Sequence, residues 1–140
     1  MTGLDILLSK YSGHYFMFKN KVTDDIIAQA EKKLHLNLNN KLKYFIKKYG
    51  ALSVGHIEIF GLGMPESSHL NIITRTIDLR RETNFPQDAV VIEDLGDGHY
   101  ALCDVKGKIY EWAFPNYYGK IKIISDNFEN YVKKKIESVF

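Results

Sequence analysis

The chain is 140 residues long, 45% hydrophobic and 26% charged, with a net charge of +2. That balance suits one globular domain, residues 1–140, with a sizeable core. It excludes a membrane span, since no apolar run nears ~18 residues, and with Cys103 as the only cysteine it excludes an intrachain disulfide.

The start of the chain lacks a basic stretch before an apolar one, so a secretory leader is not expected and a cytoplasmic home is. The net charge hides a pattern. Residues 1–50 carry nine Lys against four Asp and Glu, residues 51–105 three Arg against nine, and residues 106–140 seven Lys against four. An acidic middle between basic flanks has two readings: solvated lysine faces on helices, or an acidic binding surface displayed by a sheet.

Leu4, Leu7, Leu8 and Tyr11 repeat at i, i+3, i+4 and i+7, one face of a short helix that Ser12-Gly13 ends. The aromatic stretch from His14 to Phe18 reads as extended. Thr23 is a good N-cap, and Asp24 and Asp25 suit the positive end of the helix dipole. Ile26, Ala30 and Leu34, supported by Ile27, make that helix's apolar stripe. Asn37 to Asn40 is a polar break that caps the next helix, whose face is Leu42, Phe45, Ile46 and Tyr49 and whose stop is Gly50.

His56 to Phe60 alternates as a strand, and Gly61 to His69 is a loop. Asn71 to Thr74 looks extended, with Thr74 capping a helix through Ile77 to about Glu82. Asn84-Phe85-Pro86 ends it, because the residue before proline avoids the α region. Ala89 to Ile92, Tyr100 to Cys103 and Ile109 to Trp112 are runs of strand length. The turn signals between them, Leu95-Gly96-Asp97-Gly98 and Asp104-Val105-Lys106-Gly107, are too short for a parallel crossover, so the three form an antiparallel meander. Phe114 to Gly119 is a loop and Lys120 to Ile124 a short apolar segment. Asp126 and Glu129 have capping-box spacing for a last helix, with Phe128, Tyr131, Val132, Ile136 and Val139 on its face. Helices, then strands, then a helix give an α+β fold: helices on an antiparallel sheet with a central meander.

Chemistry is sparse. His56 and Glu58 share a strand face and Asp94 and Asp97 sit near a turn, but no zinc-finger, EF-hand or His-Glu-x-x-His spacing appears, so no metal is expected. His99 and Cys103, four apart on one strand, stand about 13 Å apart, too far for a thiol–imidazole bond, and a core cysteine is the simpler reading. Gly96-Asp97-Gly98 lacks the third glycine and the following helix of a dinucleotide fingerprint. Neither catalysis nor a cofactor is expected. The lysine clusters come with no nucleic-acid motif, so direct nucleic-acid binding is not expected either.

Several separated stretches together resemble one family. Ile26 to Gly50 (IIAQAEKKLHLNLNNKLKYFIKKYG) resembles the paired-helix signature of the SUKH superfamily, which ends in Tyr-Gly. Ile57 to Gly61 resembles its next strand, Thr76 to Arg80 its Thr-x-x-x-Arg segment, and Ser125 to Val132 its closing helix. The clearest likeness is Val90 to Trp112, where Gly96-Asp97-Gly98, Tyr100, Leu102, Gly107, Tyr110 and Trp112 stand at the family's positions. The likeness spans roughly residues 23–135. His35 replaces a usual glycine, Asn39 a usual proline, and Ala113 a frequent acid after the tryptophan.

The resemblance implies a bent, mostly antiparallel sheet flanked by N-terminal helices and a C-terminal helix. It also implies an immunity protein (antitoxin) that binds and neutralises the C-terminal toxin domain of a cognate toxin protein, often a nuclease. The alternative is a regulatory protein-binding module with no toxin partner, as in fungal cell-wall-assembly regulators. A nuclease presents cations to phosphates, so an acidic inhibitor surface would match it and speed association. Glu58, Glu66, Glu93, Asp94, Asp97 and Asp104 are the expected acidic rim. Tyr100, Tyr110 and Trp112 are candidate aromatic anchors, with core burial as their competing role. The oligomeric state is not legible.

Overall fold

The computed structural model describes residues 2–18, 20–82, 84–114 and 119–140, with side chains in the last stretch from Lys122 onward. The expected helix, polar break and helix all form near the N-terminus. Helix α1 (Gly3–Lys10) is capped by Thr2, whose hydroxyl accepts from Asp5 N–H while the Asp5 carboxylate accepts from Thr2 N–H, a capping box. Strand β1 (Phe16–Met17) is the core of the extended aromatic stretch. Helix α2 (Asp24–Leu34) is capped by Thr23 as expected. Its buried stripe is Ile27, Ala30 and Leu34, three of the four residues expected there, while Ile26, at the margin of that face, stays 38% exposed. Helix α3 (Asn40–Tyr49), capped by Asn39, buries Leu42, Phe45, Ile46 and Tyr49, the expected face without change.

His35 closes α2 in the left-handed conformation, at φ +56°. A Cβ there crowds the following carbonyl, a strain of about 1 kcal/mol that glycine avoids. His35→Gly is therefore expected to stabilise the protein by roughly 0.5 kcal/mol after glycine's own entropy cost, read as a small rise in the urea midpoint at unchanged slope.

Strand β2 (Leu52–Val54) is new, too short to stand out, and pairs with β3 (Ile57–Ile59) through the Gly55-His56 turn. Gly61 follows at a backbone crossing. A Cβ on it would lie 1.6 Å from the Gly50 carbonyl oxygen, so only glycine fits. Helix α4 (Ile72–Leu79) begins earlier than expected. The Asn71 side-chain oxygen accepts from Ile73 and Thr74 N–H and caps it, and the Thr74 hydroxyl instead donates to the Glu66 carbonyl. The short asparagine side chain competes for those orphan donors as well as threonine does, and it stands first in the chain.

The meander is β4 (Ala89–Gly96), β5 (His99–Asp104) and β6 (Ile109–Ala113). The apolar segment after it is a fourth strand, β7 (Gly119–Ser125), on the edge. Of the loop expected over residues 114–119, residues 115–118 lie outside the described ones. Helix α5 (Phe128–Glu137) is capped by Asn127 rather than Asp126, and Glu129 accepts from Leu4 N–H across the fold instead of closing a capping box.

The sheets run β1-β2-β3 and β4-β5-β6-β7, antiparallel throughout. Phe60 N–H donates to the Ile92 carbonyl at 2.9 Å where β3 meets β4. The expected bent sheet is thus two sheets meeting at that junction. Helix α5 packs against α1, α3, β3 and β7. Phe45 and Phe128 meet edge to face at 5.2 Å, which ties the helical layer together. Among the described residues no helix is long and apolar enough to cross a membrane.

Candidate functional site

The β4–β5 hairpin and the start of α4 gather most of the acids singled out in the sequence. At the hairpin tip Gly96, Asp97 and Gly98 all have positive φ. Glycine adopts that region freely and aspartate tolerates it. Adding a Cβ to Gly98 would meet the Phe114 carbonyl at 2.1 Å, so that glycine also makes room for the neighbouring chain. Asp97 at the apex is exposed and has no ion-pair partner among the described residues.

Asp94 lies beneath the tip. One of its oxygens accepts from Gly96 N–H at 2.8 Å and the other faces Arg75 Nη2 of α4 at 3.1 Å. The Arg75 guanidinium also lies 4.8 Å over the Phe60 ring. Glu58 on β3 faces His69 at 3.0 Å, just before the α4 cap. Glu66 faces Lys33 of α2 at 2.7 Å. Glu58, Glu66 and Asp94 therefore ring the first turns of α4, Glu66 beside Lys33, Asp94 beside Arg75 and Glu58 beside the His69 imidazole. Such exposed pairs are worth about 0–1 kcal/mol, so a partner's cations can displace them. Tyr100 pairs with Asp94 in the strand register and is half-buried. Burial first, and then the nearby Asp94 carboxylate, raise its phenol above the ordinary range, against the opposing pull of Arg75.

A groove of about 460 Å³ opens beside Glu66, with Ile26, Leu62 and Met64 on its floor and Lys33 on its wall. The outward turn of Ile26 supplies part of that floor. No periodicity argument found it, because the groove forms only where Asn20 and Lys21, α2, the 62–66 loop and the start of α4 meet.

Four expected site residues lie elsewhere. Glu93 is 4% exposed and is not part of a rim. A bulge between Val91 and Glu93 shifts the register by one residue, which swings Glu93 onto the inner face opposite Ala101. There it accepts from the Tyr131 hydroxyl and lies 3.4 Å from Lys135. Burial raises its carboxyl above the usual range, against the pull of Tyr131, Lys135 and His56. Asp104 sits at the far end of β5, about 17 Å along the strand from the tip. Its oxygen accepts from Lys106 and Lys108 N–H at 2.9 Å each, so it shapes a turn. Tyr110 and Trp112, 4% and 1% exposed, are core residues and not anchors. Trp112 is enclosed by Phe85, Tyr100 and Phe114 and donates to the Asn84 carbonyl at 3.2 Å.

Two polar clusters went unread in the sequence. Asp5 is 4% exposed. Its carboxylate takes the Tyr44 hydroxyl at 2.7 Å, the Tyr49 hydroxyl, and Lys48 Nζ at 3.2 Å. Burial alone would raise this carboxyl, but the donors from Thr2, Tyr49, Tyr44 and Lys48 win and hold it well below the carboxylate range. Tyr44 and Lys48 are four apart on α3, which a sequence scan could have flagged. What they would bind could not be seen. On the other side, His99 Nδ1 lies 2.6 Å from Glu111. Glu93, Ala101 and Glu111 lie in one row across the sheet, so the small alanine separates two carboxylates.

Among the described residues no three His, Cys, Asp or Glu converge as metal ligands. Cys103 is buried, and burial, then Asp104, push its thiol up to about 12, so it stays protonated near neutral pH. The arrangement places solvent-facing ion pairs beside a groove with an apolar floor. A family model described as SUKH_5, SMI1-KNR4 cell-wall, matches residues 7–137 of the chain.

Proposed function

The chain belongs to the SUKH superfamily, and from that premise we propose that it is a non-catalytic immunity protein for a cognate toxin domain, in particular a nuclease. The observation that carries this reading is the set of exposed Glu66, Asp94 and Asp97 and half-buried Glu58 around α4 and the hairpin tip, next to an apolar groove. A cationic nuclease surface would exchange its own lysines and arginines for His69, Lys33 and Arg75. It would meet Asp97, which has no ion-pair partner among the described residues, directly and seat an apolar side chain on Ile26 and Met64. The half-buried Tyr100 beside Asp94 is the aromatic candidate that remains. The work is binding alone, in the cytoplasm, with no metal or cofactor, no direct contact to nucleic acid and no membrane.

The test is co-purification with the protein encoded next door, followed by toxin protection. The double variant Asp94→Lys, Asp97→Lys reverses charge at exposed positions and leaves the core intact. It is expected to weaken toxin binding by about a hundredfold, mostly at low salt where steering is strongest. Unchanged affinity and protection would remove the acidic surface from the reading. Absence of any toxin-like neighbour, with no toxin captured, would remove immunity itself.

The second reading is a regulatory protein-binding module. The cell-wall wording of the matched family description favours it. The same surface would then bind a host partner, and gene neighbourhood separates the two.

A further inference from the structure

The acidic surface is at one end of the fold. A different kind of surface lies at the opposite edge of the four-stranded sheet. Strand β7 (Gly119–Ser125) pairs only with β6, so its other side carries unpaired backbone N–H and C=O groups among the described residues. Such an edge is a template for another strand unless something covers it. Beside it, between β7 and α5, runs an open groove of about 460 Å³. Ile123, Ile124 and Ser125 form one wall, and Asn130, Lys133 and Lys134 the other, with Asp126 and Glu137 also at its margin. From Asn130 to Glu137 the helix advances about 10 Å, the length of about three extended residues.

Charge decides what fits. Lys122 lies opposite Glu111 in the register, and one Glu111 oxygen faces His99 Nδ1 at 2.6 Å. Lys122 on the edge and Lys133 and Lys134 in the groove have no ion-pair partner among the described residues and outnumber the two carboxylates at its margin, Asp126 and Glu137, whereas Lys135 on the same helix faces Glu93. A second copy is a poor occupant. A twofold antiparallel pairing of two β7 strands centred on the middle residue would set Lys122 against the Lys122 of the other copy, and like charges directly opposite are destabilising. An extended segment with carboxylates at alternate positions would instead satisfy the backbone edge and the lysines together. Its apolar residues, on the other face, would cover Ile123, which is 52% exposed.

We propose that the β7 edge and the β7–α5 groove form a docking site for an acidic extended segment of a partner polypeptide, bound by strand addition. This site does not depend on the immunity reading, because it takes a partner of the opposite charge at a different edge.

The probe is a short fluorescein-labelled peptide alternating glutamate with valine, compared with its lysine–valine counterpart on the full-length protein. Fluorescence anisotropy is expected to give the acidic peptide about tenfold tighter binding, and hydrogen exchange is expected to slow at the amides of residues 122–125. The double variant Lys122→Glu, Lys134→Glu alters exposed positions only and is expected to invert the order of the two peptides. Equal binding of both peptides, protection elsewhere on the chain, or an order unchanged in the variant would overturn the proposal. So would a dimer of the unliganded protein that protects the same amides. Toxin-protection results do not bear on any of these readouts.

Discussion

Trp112→Ala is expected to destabilise the fold by about 4 kcal/mol, the cost of emptying a large aromatic site in a packed core. The indole is fully buried between Phe85, Tyr100 and Phe114, and its N–H holds the Asn84 carbonyl. Removing it leaves a cavity under the 84–86 segment and takes away the indole donor to that carbonyl. Chemical denaturation followed by far-UV circular dichroism would measure the loss. Trp112→Phe keeps a ring and loses the donor, and is expected to cost only about 2 kcal/mol. The pair separates packing from recognition. If Trp112 were a partner anchor, the phenylalanine variant would lose affinity while remaining folded. With the ring buried, its affinity is expected to stay at the native level.

Asp5→Ala comes next, at about 3 kcal/mol. It strips a buried acceptor from Tyr44, Tyr49 and Lys48 and removes half of the α1 capping box. These bonds tie α1 to α3, so the first amides to lose exchange protection are expected to be those of α1. The pH dependence has a definite sign. The folded carboxyl of Asp5 is held below its ordinary value, so its contribution is complete above about pH 4 and drains away as the pH falls further. Glu93 works in the opposite direction. Its folded carboxyl is raised, so the native state binds that proton more tightly than the unfolded chain does, and stability falls as pH rises from the ordinary glutamate value through the raised one. Glu93→Gln is expected to remove that neutral-side loss while keeping an acceptor for Tyr131. Asp5→Asn is expected to flatten the acid limb. Denaturant midpoints from pH 3 to pH 8 would resolve the two. A Glu93→Gln protein whose midpoint still drops above the ordinary glutamate range as in the native chain would contradict the assignment.

These two carboxylates show why the site was harder to read than the fold. Asp5 carried no signal of its own in the sequence, and Glu93 read as one of the acidic rim at the strand ends. Each is buried because of partners far away in the chain: Tyr44 and Tyr49 for one, Tyr131 and Lys135 for the other. The acidic middle of the sequence is real, but net charge over a segment says nothing about which side chains reach solvent. Of the expected rim, Glu58, Glu66, Asp94 and Asp97 remain outside, Glu93 goes in, and Asp104 turns up at the wrong end of its strand.

The sequence by itself determined the local structure. Helical spacing picked out the buried face of α3 residue for residue, Thr23 announced α2, and glycine-flanked turns marked the meander, because capping, periodicity and φ preferences act over a few neighbours. The family likeness, carried by the same turns and strands, was legible for that reason too. Tertiary structure alone decided the rest. One bulged residue in β4 chose which acid faced inward. The packing of α2 on Ile27 rather than Ile26 left Ile26 to line the groove. The position of β7 at the sheet's rim left an edge unpaired. Each of these depends on which surfaces meet, and those contacts lie between residues too far apart in the chain for any local pattern to specify.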